Sequence, residues 1–175
     1  STVYKWSLSV PDDFRFTFKL WEGITHKKRF GFEEKDVEHF MAVIEEAGSK
    51  KGCLLIQLPP GTGIEHIGQL EKLLKTIHKT DASDWKRAVE FRNDSWYDEP
   101  TLKLLKSYRA ALVVHDMPKS ATPPVVHSSD FMYVRFHGPT GKYDGGYSEE
   151  YLRNCAISLS NWIEEGKDVY VYFNN

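Results

Sequence analysis

Cysteine is scarce: Cys53 and Cys155 are the only two in 175 residues. A disulfide framework is therefore excluded, their spacing suits no zinc site, and a reduced, intracellular, cytoplasmic protein is expected. No run approaches the roughly 20 apolar residues that a bilayer crossing needs, and the amino end shows no apolar signal core, so no membrane partner is expected. An excess of one charge is also missing. The net charge is -2 with no long basic block, and general electrostatic binding to nucleic acid or membrane is not implied. Low-complexity segments and interdomain linkers are absent, and 41% hydrophobic with 14% aromatic residues exclude disordered, collagen-like and mucin-like classes. Familiar catalytic motifs fail as well. There is no G-x-S-x-G elbow and no HExxH. Gly138-Pro-Thr-Gly-Lys-Tyr143 only superficially suggests a phosphate loop, because Phe136 stands where its first glycine belongs and Tyr143 replaces the Ser/Thr.

What is present is an alternation of short apolar runs with helical stripes. Thr2 to Val10 reads as a helix stopped by Pro11. Phe14 to Leu20 alternates as a strand, and Val37, Phe40, Met41, Ile44 and Ala47 then lie on one helical face ending at Gly48. Gly52 to Leu58 is a strand closed by Pro59 and Pro60, followed by a helical stripe from Ile64 to Ile77. Arg87 to Arg92, Ala111 to Asp116, Phe131 to His137 and Asp168 to Phe173 complete six strands. Asp98 with Pro100 opens one intervening helix and Ser148 another, which Gly166 ends; Met117 to Asp130 holds three prolines and reads as irregular.

Six strands joined by helices or long crossovers imply parallel βα units. An open doubly wound sheet and a (βα) barrel then compete, and side-chain parity separates them. In each strand one parity is almost wholly apolar, as in Leu54/Ile56/Leu58 and Met132/Val134/Phe136. The other parity turns polar toward the carboxyl end: Thr17/Lys19, Gln57, Glu90/Arg92, His115, Arg135/His137 and Tyr170/Tyr172/Asn174. Helices on both faces demand apolar residues on both parities, whereas a barrel interior can be polar near its mouth. The expected fold is therefore α/β, a parallel, TIM-barrel-like single domain over 1–175. A full barrel needs eight strands and about 250 residues. We accordingly expect a partial barrel, with two strands before Ser1 and a closing helix after Asn175 lying outside this chain.

Phe14-Arg-Phe-Thr-Phe-Lys19, Gln57-Leu-Pro-Pro60, Ala88-Val-Glu-Phe-Arg92 with Ser95-Trp96, Tyr133-Val-Arg-Phe-His-Gly138 and Asp168-Val-Tyr-Val-Tyr-Phe-Asn-Asn175 together resemble the YecE-like family, domain of unknown function 72. The resemblance runs in order through nearly the whole chain. It implies an eight-stranded, TIM-barrel-like fold of which this chain carries strands three to eight. The family's Gly-rich opening and Glu/Asn-bearing second strand have no counterpart here. The resemblance implies a fold and no reaction.

The mouth collects the candidate site. Glu90, His115 and His137 are the candidate catalytic residues, because a carboxylate beside histidines suits general acid-base transfer. Lys19, Gln57, Arg92, Trp96, Arg135, Tyr172, Asn174 and Asn175 are the candidate ligand-binding residues, with three permanent cations suited to a phosphate or carboxylate. No cofactor is implied, but Glu90, His115, Asp116 and His137 are the right donors for a divalent metal. The glycine-rich segment Gly138 to Tyr147 reads as a mobile lid. The leading expectation is an enzyme acting on a small anionic or phosphate-bearing substrate. The alternatives are a non-catalytic module binding a metabolite or single-stranded nucleic acid, a metal-dependent endonuclease-like phosphodiesterase, and a charge network that merely fills the barrel. Oligomeric state leaves no sequence signal.

Overall fold

The computed structural model describes residues 2–124 and 129–174. Along them run α1 (Thr2–Ser9), β1 (Phe16–Lys19), α2 (Glu22–Thr25), α3 (Glu34–Ile44), β2 (Lys51–Gln57), α4 (Ile67–Thr80) and β3 (Lys86–Glu90). Then come α5 (Glu99–Ser107), β4 (Ala110–Leu112), β5 (Val114–His115), β6 (Phe131–Phe136), α6 (Glu149–Glu164) and β7 (Asp168–Phe173). The helices begin where capping chemistry places them. Asp98 accepts the Thr101 N–H at 2.9 Å ahead of α5, and Ser148 accepts the Tyr151 N–H at 3.2 Å ahead of α6. α4 buries Leu70, Leu73, Leu74 and Ile77, the stripe that its spacing foretells.

Every strand pairing is parallel, in the orders β1-β2-β3-β4 and β5-β6-β7. The expected strand Ala111 to Asp116 is divided between these two ladders. Val113 still donates its N–H to the Val89 carbonyl at 2.9 Å, but Val114 and His115 pair with Val134 and Arg135. A strongly curled sheet forces this, since one strand must leave one neighbour to follow the other. Both ladders are thus parts of a single curved surface, handed over at Val113.

The two parities separate as expected. Leu54, Ile56, Leu58, Val89, Phe91 and Leu112 face the helices in an outer core with Val37, Met41, Leu70 and Leu73. Cys53, Leu55, Ala88, Ala111, Val113, Phe131 and Tyr133 form a separate inner core, lined further by Tyr170 and Tyr172. Inside it the Tyr133 and Tyr172 rings stack at 5.0 Å, and the Tyr172 phenol meets the Thr17 hydroxyl at 2.5 Å. That contact brings β7 to β1 across the concave side. The fold is α/β with parallel strands, part of a TIM-barrel-like architecture. By contrast α6 has no fully buried side chain and leaves Leu152, Ile157 and Ile163 exposed. No helix among the described residues is long and apolar enough to cross a membrane.

Candidate functional site

Glu90 ends β3 pointing inward and is completely buried. Arg135, inward on β6, donates Nη1–H to Glu90 Oε2 at 2.6 Å and to Gln57 Oε1 at 3.2 Å. Arg92, just past β3, donates Nε–H to Glu90 Oε1. Burial alone would raise the Glu90 pKa, but the Arg135 and Arg92 guanidiniums outweigh it and hold the carboxyl below its ordinary range. Glu90 is therefore a fixed anion that seats two cations. Such a buried pair costs desolvation and persists only when its remaining hydrogen bonds are met, as both carboxylate oxygens are here.

His137 follows β6 and is also completely buried. Its Nε2 lies 2.8 Å from Arg92 Nη2, and its Nδ1 lies 3.2 Å from Asp116 Oδ1. A guanidinium only donates, so Nε2 must accept and Nδ1 carries the proton toward the carboxylate. The ring is neutral in this arrangement. Burial lowers its pKa, and Arg92 lowers it further. Asp116 is held in turn: Oδ1 also accepts the His137 backbone N–H at 2.8 Å, while Oδ2 accepts from the Tyr147 phenol. One hydrogen-bonded chain thus runs from Gln57 through Arg135, Glu90, Arg92, His137 and Asp116 to Tyr147.

Lys19, Arg135, Tyr172 and Asn174 share a recess of about 200 Å³ with Thr17, Leu55, Tyr133 and Phe173. Burial lowers the Lys19 pKa, as does Arg135 nearby. Of the expected site residues, Trp96 lies elsewhere, and His115, though its ring is 5.7 Å from that of His137, is committed to backbone groups. Trp96 is fully buried in the outer core, stacked on Phe91 at 4.8 Å and donating its indole N–H to the Thr62 carbonyl at 2.7 Å. It cannot reach a ligand in the mouth. His115 is buried with both ring nitrogens on the backbone: Nδ1 accepts the Met117 N–H at 3.3 Å and Nε2 faces the Phe91 carbonyl at 2.8 Å. Burial pushes its pKa down to about 4, so the ring is neutral, with both nitrogens already serving backbone groups. Asn175 lies outside the described residues.

The expected metal donors do not converge. Both Glu90 oxygens face arginines, His115 serves backbone groups and His137 Nδ1 is directed at Asp116. Among the described residues no group of three or more His, Cys, Asp or Glu side chains is disposed to hold a metal ion. A donor set already saturated by cations and backbone does not fit a divalent cation.

Sequence reasoning gave Tyr147 only as an exit-loop ring that could stack on a base or sugar, and missed Tyr97. Tyr147 reaches Asp116, and Tyr97 donates to the Ser120 carbonyl at 2.7 Å beside His115. Neither lies on a strand, so no periodicity could find them. The segment expected as a mobile lid is tied down at several points. Gly138 donates to the Tyr147 phenol at 2.7 Å, Tyr143 N–H donates to the His137 carbonyl at 3.0 Å, and Gly141 packs against Pro118.

Comparison with known proteins agrees with this architecture. The family described as "Protein of unknown function DUF72" matches residues 1–175. The chain belongs to that family. It is similar to the UPF0759 protein YunF of Bacillus subtilis strain 168, with 28% identity over 203 residues covering 98% of this chain and 70% of YunF. It is also similar to the crystal structure of a DUF72 family protein from Thermotoga maritima MSB8, with a TM-score of 0.70 and 28% identity. That superposition covers 95% of this chain and 69% of the Thermotoga protein. The DUF72 chain therefore shares the fold of a solved family member.

Proposed function

We propose that the mouth of this DUF72 chain binds a small anionic or phosphate-bearing molecule and carries out general acid-base chemistry on it. His137 is the base: Asp116 holds its Nδ1–H, and its Nε2 lone pair, which accepts from Arg92 in this structure, is released for proton transfer when a bound anion draws that guanidinium away. Arg92, Arg135 and Lys19 hold the anion. Arg135 commits only Nη1 to Glu90 and Gln57 among the described residues, which leaves its Nη2 and Nε to fork onto a phosphate or carboxylate. Glu90 becomes the counter-ion that fixes both guanidiniums instead of a proton donor. The observation that carries this reading is the oriented neutral His137 placed directly against Arg92 beside the Arg135 clamp.

Inorganic phosphate titrated into nitrogen-15-labelled protein should shift the side-chain signals of Arg92, Arg135 and His137. Arg135→Ala should weaken that binding at least about tenfold, the scale of one charge-assisted bidentate contact. Against a panel of sugar phosphates and phosphodiesters, His137→Gln should lower turnover by about 10²–10⁴-fold. Phosphate that moves none of these signals would refute the anion site.

A binding module without catalysis is the second reading, favoured by the exposed rings of Trp21 and Tyr143 beside the mouth. It requires affinity for single-stranded nucleic acid or a nucleotide that falls with salt, and no turnover of the panel.

A further inference from the structure

Tyr147 stands at the end of the β6–α6 loop, one residue before the Ser148 cap. Its ring is fixed on two sides, stacked on Tyr151 at 4.9 Å and edge-on to Phe136 at 5.5 Å, which aims the hydroxyl at Asp116. The donor roles there are forced. The Gly138 amide can only donate, so the phenol oxygen accepts that N–H at 2.7 Å and sends its one proton to Asp116 Oδ2. Asp116 Oδ1 is left for the His137 backbone N–H and Nδ1–H.

We infer that Tyr147 is a positioning residue for His137: through Asp116 it holds the Nδ1–H of the tautomer that Arg92 selects at Nε2, and it does so only while residues 138–147 are docked. A carboxylate turns easily about its terminal torsion, and the phenol pins one oxygen so that the other stays under His137. The backbone supports the same coupling. Gly138 sits at φ +85°, where a Cβ would lie 2.4 Å from the Asp144 carbonyl oxygen, and only this docked turn delivers its N–H to the phenol. The charged and titratable groups around the ring are Glu90 and Arg92 from the β3 side, Arg135 on β6 and His115 on β5. Asp116 and Tyr143, whose ring is edge-on to the imidazole at 5.7 Å, complete the set. The inference rests on His137 serving as the base of the proposed function.

Long-range proton–nitrogen correlation spectra of nitrogen-15-histidine protein test it without any substrate. Wild type should show neutral His137 as Nδ1–H alone. Tyr147→Phe keeps the ring stack and should weaken the Nδ1–H bond to Asp116, so that this proton moves upfield and exchanges faster with water, whereas Tyr143→Phe should leave its exchange rate intact. An unchanged Nδ1–H shift and exchange rate in Tyr147→Phe, or Nε2–H in wild type, overturns the inference. If the Phe variant loses its fold, wild type alone decides: the Tyr147 hydroxyl proton must show through-space contact with the Gly138 amide, and its absence is equally fatal. Titrating inorganic phosphate into the same samples separates the two levels. Phosphate without effect, alongside a loosened Nδ1–H in Tyr147→Phe, removes the anion site and leaves the positioning role standing.

Discussion

Strand β3 carries a buried charge near each end. Arg87, on the outer face, meets Asp81 at 2.6 Å and donates to the Tyr108 carbonyl at 3.1 Å, while Asp81 also accepts the Trp85 N–H at 2.9 Å. Glu90, on the inner face, takes two guanidiniums, with Lys19 near both. The two clusters use the same chemistry, an arginine against a buried carboxylate, yet what they connect to differs. At the outer cluster the buried cation is matched by a buried anion and tied to backbone, which makes it a brace between β3 and the helices. At the inner cluster Lys19, Arg92 and Arg135 stand near Glu90, Asp116 and Glu22, and Arg92 carries the contact on to His137. Burial of a salt bridge says little about function. A charge cluster that leads on to a neutral imidazole says more.

The largest effects should come from removing either anion. Asp81→Asn and Glu90→Gln each leave a buried guanidinium without its counter-ion and should each cost about 3–5 kcal/mol in urea denaturation. Phosphate separates them. A site that binds anions should recover part of the Glu90→Gln loss as phosphate is added, because a ligand of the folded state stabilises it by mass action. Asp81→Asn, far from the mouth, should gain no more than wild type does. Equal rescue of both variants, or of neither, would erase the contrast between brace and site.

The next effect follows pH. The folded-state pKa of His115 is about 4 against the ordinary 6.5. Between those values the unfolded chain binds the proton and the folded chain does not, so stability falls as pH drops from 6.5 toward 4 and is unaffected above. The full difference amounts to about 3 kcal/mol as an upper bound. Thermal melts at pH 7 and pH 5 should show the loss, and His115→Gln should reduce it, leaving the part that the lowered His137 pKa contributes. A wild-type curve without slope in that window would mean that the ring is charged in the fold.

Strand parity made much of this legible. Gln57, Glu90, Arg135 and His137 had to converge, since alternate residues of neighbouring parallel strands point to one side and these stand at one end. Parity could not say which polar group bonds to which. That depends on rotamers across separations such as the 45 residues between Glu90 and Arg135. Nor could it foresee that His115 would be claimed by the Phe91 carbonyl and the Met117 N–H, or that Tyr147 would find Asp116. Those contacts are made by irregular backbone, where sequence carries no period. The handover at Val113 was hidden for a similar reason, because curvature is a property of the whole sheet.

Gly138 gives an intermediate effect on the same contrast. At φ +85°, with the Asp144 carbonyl where a Cβ would sit, Gly138→Ala should cost about 1–3 kcal/mol and loosen the contacts to Asp116, while the Arg87 cluster stays intact. Amide hydrogen exchange would register it as faster exchange confined to the mouth; an unchanged exchange pattern would show that the turn has room to adapt.

The smallest effect concerns two tryptophans that sequence position alone treats alike, both lying just beyond strand tips. Trp96 is a core residue, and truncating it would report only on packing. Trp21 is 54% exposed, its indole folded back over Gly23 so that a Cβ there would strike the ring. Little apolar surface is removed from water by that arrangement, so Trp21→Ala should change stability by no more than about 0.5 kcal/mol. Its indole fluorescence is then a clean reporter. If the mouth takes a ligand carrying a base or sugar ring, binding should alter the Trp21 signal and Trp21→Ala should weaken that ligand several-fold while leaving inorganic phosphate unaffected. Loss of phosphate binding in the same variant would place the indole within the charge cluster itself, and the division between anion clamp and ring platform would have to be redrawn.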